Sequence, residues 1–78
     1  MKSDVIIVKN DGQGTDEALK QPELIAAYKG LSQRDTLHLR LLAEEMISML
    51  RALTGEVSAK FWMEDKDNVY QLHLCTET

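Results

Sequence analysis

Seventy-eight residues, 44% of them hydrophobic and 28% charged, allow one small globular domain and exclude a disordered chain. A formal net charge of -4 argues against a general nucleic-acid binder, which needs a basic patch, and against attraction to an anionic membrane surface. The single cysteine, Cys75, cannot form an intramolecular disulfide, and a lone thiol fits a reducing cytoplasm. The apolar run Val5 to Val8 is too short for a signal-peptide core or a membrane span.

Residues 4–9, DVIIVK, carry four consecutive β-branched side chains and predict a strand buried on both faces. Asn10-Asp11-Gly12-Gln13-Gly14 ends it with strong turn chemistry. A Gly-x-Gly between strand and helix has the order of a phosphate loop, but neither a third glycine nor Gly-Lys-Ser/Thr follows. The loop is therefore read as a plain connection. Thr15 can cap a helix with Asp16 and Glu17 in its first turn, and Leu19, Leu24, Ile25 and Tyr28 give an apolar face. Pro22 would cost about 3 kcal/mol inside a helix. The expectation is a short turn over 15–20 and a helix starting at Pro22, ended by Gly30.

Ser32-Gln33-Arg34-Asp35 resembles a capping box and opens the longest apolar-periodic run in the chain. The helix should reach about Thr54, with Gly55 closing it, or about 33 Å for about 22 residues. Leu39, Leu42, Ala43, Met46, Met49, Leu50 and Leu53 form one stripe, widened by Leu37, Leu41, Ile47 and Ala52. So wide an apolar surface predicts a central helix touched on two sides. Val57 to Glu64 then alternates, with Ala59, Phe61 and Met63 on one face and Lys60, Trp62 and Glu64 on the other. Residues 64–68 read as a charged hairpin loop. Val69 to Cys75 returns with Tyr70, Leu72 and Leu74 facing one way and Gln71, His73 and Cys75 the other. The expected fold is α+β: an N-terminal strand, an interrupted helix, a long central helix and a C-terminal β-hairpin, with the helices on one face of the sheet. Phe61 and Met63 should pack with Leu72 and Leu74 against the long helix.

The chemical candidates are few. Glu44 and Glu45 are adjacent, so they point about 100° apart and cannot face each other. One of them could be a partly buried general base with a raised pKa. Alternatively both are solvated or arginine-paired, since Arg40 lies four residues before Glu44 and Arg51 six after Glu45. His73 and Cys75 share a strand face, but zinc needs three or four converging ligands. Cys75 has no activating base in view. Trp62, with Gln71 and His73 opposite, marks either a contact surface or a position covered by the first helix near Tyr28. Met46, Met49 and Met63 read as core filler.

Over about residues 32–75, SQRDTLHLRLLAEEMISMLRALTGE followed by VSAKFWMEDKDNVYQLHL resembles the first half of the histidine-kinase-like ATPase domain, and most of all short bacterial ATP-binding proteins of the anti-sigma-regulator kind. That resemblance implies a long helix bearing acidic residues, then a hairpin, with Glu45 and secondarily Glu44 as nucleotide-site positions and ATP with magnesium as the cofactor. The family's magnesium-binding asparagine would fall four residues after the glutamate, where this chain has Met49 or Ser48. The Asp-x-Gly-x-Gly adenine motif and the glycine-rich lid are not in these 78 residues. The leading expectation is therefore a non-catalytic regulatory or interaction domain without a cofactor, with a protein partner or self-association through the last strand. The alternative is the N-terminal part of an ATP-binding kinase or ATPase whose adenine site lies in further C-terminal sequence.

Overall fold

The computed structural model describes residues 1–77. Strand β1 (Ile6–Lys9) leads to helix α1 (Thr15–Lys29), helix α2 (Gln33–Arg51) and the hairpin strands β2 (Ser58–Lys66) and β3 (Val69–Glu77). The strands form one antiparallel sheet in the order β1-β2-β3. Both helices cover the same face: α1 packs on β1 and β2, and α2 on β3 and β1. The architecture is thus α+β with the helices on one face, as the sequence pattern implies.

Alternation sets the hairpin faces. Ala59, Phe61 and Met63 are buried beneath the helices, with Tyr70, Leu72 and Leu74 half-buried beside them. Trp62, Lys60 and Glu64 lie on the opposite, helix-free face. The expected packing of Phe61 and Met63 with Leu72 and Leu74 is present. The loop is shorter than the charge run implies. Strand β2 continues to Lys66, and the turn is only Asp67-Asn68, both left-handed at φ 52° and 66°. Asp and Asn tolerate that conformation, which matches the twist of a two-residue hairpin.

Several details depart from the sequence pattern. Strand β1 is not buried on both faces: Val8 is sealed, while Ile7 is half exposed because no layer covers the outer face. Helix α1 is not interrupted; it runs through Pro22 without a break. The Pro22 side chain is fully buried. Burying its three ring methylenes stabilises by about 2 kcal/mol, which offsets much of the roughly 3 kcal/mol that proline costs inside a helix. Thr15 does not cap α1; Gly14 holds that position at φ 82°. A β-carbon there would meet the Ile7 carbonyl oxygen at 2.1 Å, so close strand–helix packing requires the glycine. Leu24 and Tyr28 point to solvent, and the buried face of α1 is Ala18, Gln21, Pro22, Ile25 and Ala26.

Helix α2 starts as expected, with the Ser32 hydroxyl accepting from the Asp35 amide at 3.1 Å. It ends at Arg51, short of Gly55. Asn10 supplies the reason. Its side-chain amide donates to the Leu53 and Gly55 carbonyls at 2.9 and 2.7 Å, and its carbonyl accepts from the Val57 amide at 3.1 Å. Carbonyls that a longer helix would leave unsatisfied are thereby bonded from another loop.

Candidate functional site

The apolar surface of α2 is wide, but only part of it is used. Leu39, Ala43, Ile47 and Leu50 are buried, whereas Leu42, Met49 and Leu53 are 39%, 65% and 47% exposed. The helix is therefore not enclosed on two sides, because among the described residues the sheet has only three strands and α1 occupies one flank. At about 100° per residue, Arg40 and Glu44 lie on one side of the buried stripe and Leu42, Met46 and Met49 on the other. Arg40 bridges Glu44 and Glu23 of α1, which fixes the first side as the α1 side. The second side meets Leu72 of β3 in an open groove, bordered by Ser48, Ala52 and Glu45.

This groove runs beside an open sheet edge. Strand β3 is nine residues long and pairs only with β2 among the described residues. The Asp65 amide donates to Met1, and the Met63 and Val57 carbonyls accept from Ser3 and Asn10, so odd-numbered β2 residues bond toward β1. Alternation then directs the even-numbered ones to β3. Through the β3 register, the N–H and C=O groups of Tyr70, Leu72, Leu74 and Thr76 are left on the free edge. Proteins commonly blunt such edges with charge, proline or a bulge. Residues 69–76 contain no charged residue and no proline.

The glutamate pair separates cleanly. Glu44 belongs to the arginine bridge, Arg40 Nε reaching it at 3.2 Å, and the Glu44 and Glu23 carboxylates together hold the Arg40 guanidinium above its ordinary pKa. Glu45 is exposed on the rim of the groove. Neither sits in an enclosed polar cavity, so the general-base arrangement is not formed. Met46 and Met49 are not core filler either; both line the groove, and only Met63 is fully buried.

Trp62 and His73 are cross-strand partners on the helix-free face, stacked at 4.8 Å with planes 10° apart. Lys2 Nζ lies 5.5 Å from the Trp62 ring, and Glu64 Oε2 is 3.2 Å from His73 Nε2. Helix α1 does not cover Trp62, which rests on the face opposite the helices. Gln71 is exposed on the same face, so the three expected contact residues share one surface. Among the described residues no three His, Cys, Asp or Glu side chains converge on a point, and Cys75 is exposed.

One buried charge escapes the sequence pattern. Asp65 closes the core face of β2 and its side chain is 4% exposed. Lys29 Nζ is 2.8 Å from it and the Met1 amine 3.2 Å. The Lys29 hydrogen bond holds the Asp65 carboxyl below its ordinary pKa against the opposing effect of burial, and the same bond raises Lys29. The alternation 57-59-61-63 continues to 65, so the inward position was available to pattern reasoning; the charged run masked it.

Compared with models of protein families, with curated proteins and with solved structures, the chain matches none. No helix among the described residues is long and apolar enough to cross a membrane.

Proposed function

We propose that the chain is a non-catalytic interaction domain of the cytoplasm, on a scaffold related to the histidine-kinase-like ATPases, that binds protein through the α2–β3 groove and the β3 edge. The observation that carries this reading is the adjacency of two unfinished surfaces. An apolar helix flank, with Met49 65% exposed, lies next to a strand edge with unpaired backbone groups. An extended segment added to β3 would gain main-chain hydrogen bonds and place alternate side chains against Leu42, Met46 and Met49. Methionine adapts its shape to different partner side chains, which suits such a groove.

The chemistry of the glutamates fits this role better than catalysis. Glu44 is engaged by Arg40, and among the described residues Glu45 belongs to no cluster of three His, Cys, Asp or Glu side chains, Met49 and Ser48 being its downstream neighbours on the helix. One carboxylate does not make a magnesium–phosphate site.

A display selection of random 15-residue peptides against the immobilised chain tests the proposal. Peptides of alternating apolar pattern should be enriched, and Met49→Lys should weaken them at least tenfold. On chain immobilised sparsely enough to remain monomeric, enrichment of no sequence, or binding that ignores Met49→Lys, would refute the assignment.

A further inference from the structure

We infer that the occupant of this surface is a second copy of the same chain, joined through β3 to give a continuous six-stranded sheet. The inference rests on the interaction reading above and names its partner. Three observations converge on self-pairing.

The first is charge. Two molecules of net charge -4 repel unless their contact is neutral. In a chain with 28% charged residues, the eight residues from Val69 to Thr76 carry none. The nearest charges, Glu77 at the end of β3 and Glu45 on the groove rim, lie outside this stretch, so pairing it with its duplicate sets no like charges directly opposite each other.

The second is symmetry. An antiparallel β3–β3 junction has its two-fold axis perpendicular to the sheet. Both helical layers then stay on one face. Because Leu42, Met46 and Met49 flank α2 on the β3 side, the same rotation brings the two α2 flanks together. One operation completes the sheet edge and covers the apolar groove, as a self-complementary interface requires.

The third is register. The outward-facing backbone groups are those of Tyr70, Leu72, Leu74 and Thr76. All four are paired when His73 stands opposite its symmetry mate, which sets Leu72 against Leu74 and Tyr70 against Thr76. Leucine then meets leucine beneath the helices. On the other face the Trp62–His73 stack and its mate form one row across the junction. Gln71 comes opposite Cys75. A strip about 30 Å long and about 15 Å deep, through strand and helix layers, is on the order of 500 Å² per copy. That lies at the small end of specific interfaces, where association is weak and reversible.

Sedimentation velocity on the full chain, from low to high micromolar, is the test. The expected result is a concentration-dependent species of twice the 8.9 kDa chain mass. Met49→Lys, at an exposed position the monomer does not need, should weaken association at least tenfold. The register is read by Gln71→Cys with Cys75 retained. Opposed cysteines in an antiparallel pair lie within disulfide reach, whereas positions 71 and 75 within one strand are about 13 Å apart. Mild oxidation should therefore give a disulfide-linked dimer of Gln71→Cys and none of the wild type, whose two Cys75 thiols stand four residues out of register. A wild type that stays monomeric at several hundred micromolar would overturn the inference. So would a dimer indifferent to Met49→Lys, or one that Gln71→Cys fails to cross-link. If the monomeric chain still selects peptides in a Met49-dependent way, the self-pairing fails and the interaction reading stands. If it selects none, both fail.

Discussion

Phe61 should be the most costly side chain to truncate, and its neighbourhood sets the amount. It is fully buried at the centre of β2, in the same core as Val8, Ile25, Ile47, Leu50 and Met63. A buried aromatic removes about 150–250 Å² from water. At about 25 cal/mol per Å² that is about 4–6 kcal/mol, of which alanine retains a part. Phe61→Ala should therefore cost about 3–5 kcal/mol. A domain of this size has about 4–12 kcal/mol in all, so the variant would stand near its limit. At about 4–8 °C per kcal/mol, its thermal midpoint should fall by tens of degrees. Leu24→Gln is the matched control: Leu24 is 61% exposed, and its replacement should change stability by less than about 0.5 kcal/mol. Urea unfolding followed by far-ultraviolet circular dichroism measures both, at one chain concentration so that association contributes equally. A cost under about 1 kcal/mol for Phe61→Ala, or an equal cost for Leu24→Gln, would refute the assignment of the core.

Three further outcomes follow from particular contacts. Gly14→Ala should destabilise well beyond about 1 kcal/mol, because the new β-carbon meets the Ile7 carbonyl; Gly30→Ala, with open space around it at φ 68°, should cost only about 1–2 kcal/mol for its left-handed backbone, and chemical unfolding compares the two. Asn10→Ala removes three hydrogen bonds that tie the α2–β2 connection to the loop after β1 and should cost about 2 kcal/mol, with amide exchange rising first at residues 53–57. Asp65 has a lowered folded-state pKa, so its stabilisation is fully present above the unfolded value of about 3.9 and is lost as pH falls through the folded value. Acid titration of thermal stability should show that loss below about pH 4, and Asp65→Asn should abolish it; an unchanged acid limb would contradict the buried pairing with Lys29 and the Met1 amine.

What the sequence made legible was governed by how many physical solutions each pattern admits. Alternation in β2 and β3 admits one, so the faces of Phe61, Met63, Trp62 and His73 follow from it. Ser32 with Asp35 three residues on likewise admits one helix start. Helix α2 admits two: the stripe through Leu39, Ala43, Ile47 and Leu50 and the flank through Leu42, Met46 and Met49 are both apolar. Periodicity cannot choose between them; the number of strands available to cover the helix does. Pro22 misleads because propensity counts the missing hydrogen bond and not the burial of the ring. Asp65 and Asn10 act across 36 and 43 or more residues, to Lys29 and to Leu53, and no local pattern carries such contacts. The candidate site divides the same way. Trp62, Gln71 and His73 do share a surface, while the groove arose from residues read as core.

The most direct test of the central claim is an amide chemical-shift map of the labelled chain with two additions, ATP–magnesium and a peptide selected on the wild type. Binding through the helix flank and strand edge predicts that the peptide moves residues 42–52 and 69–76 and that ATP–magnesium produces no saturable change. Saturable shifts at Glu44, Glu45 and Gly55 on adding ATP–magnesium would contradict the account.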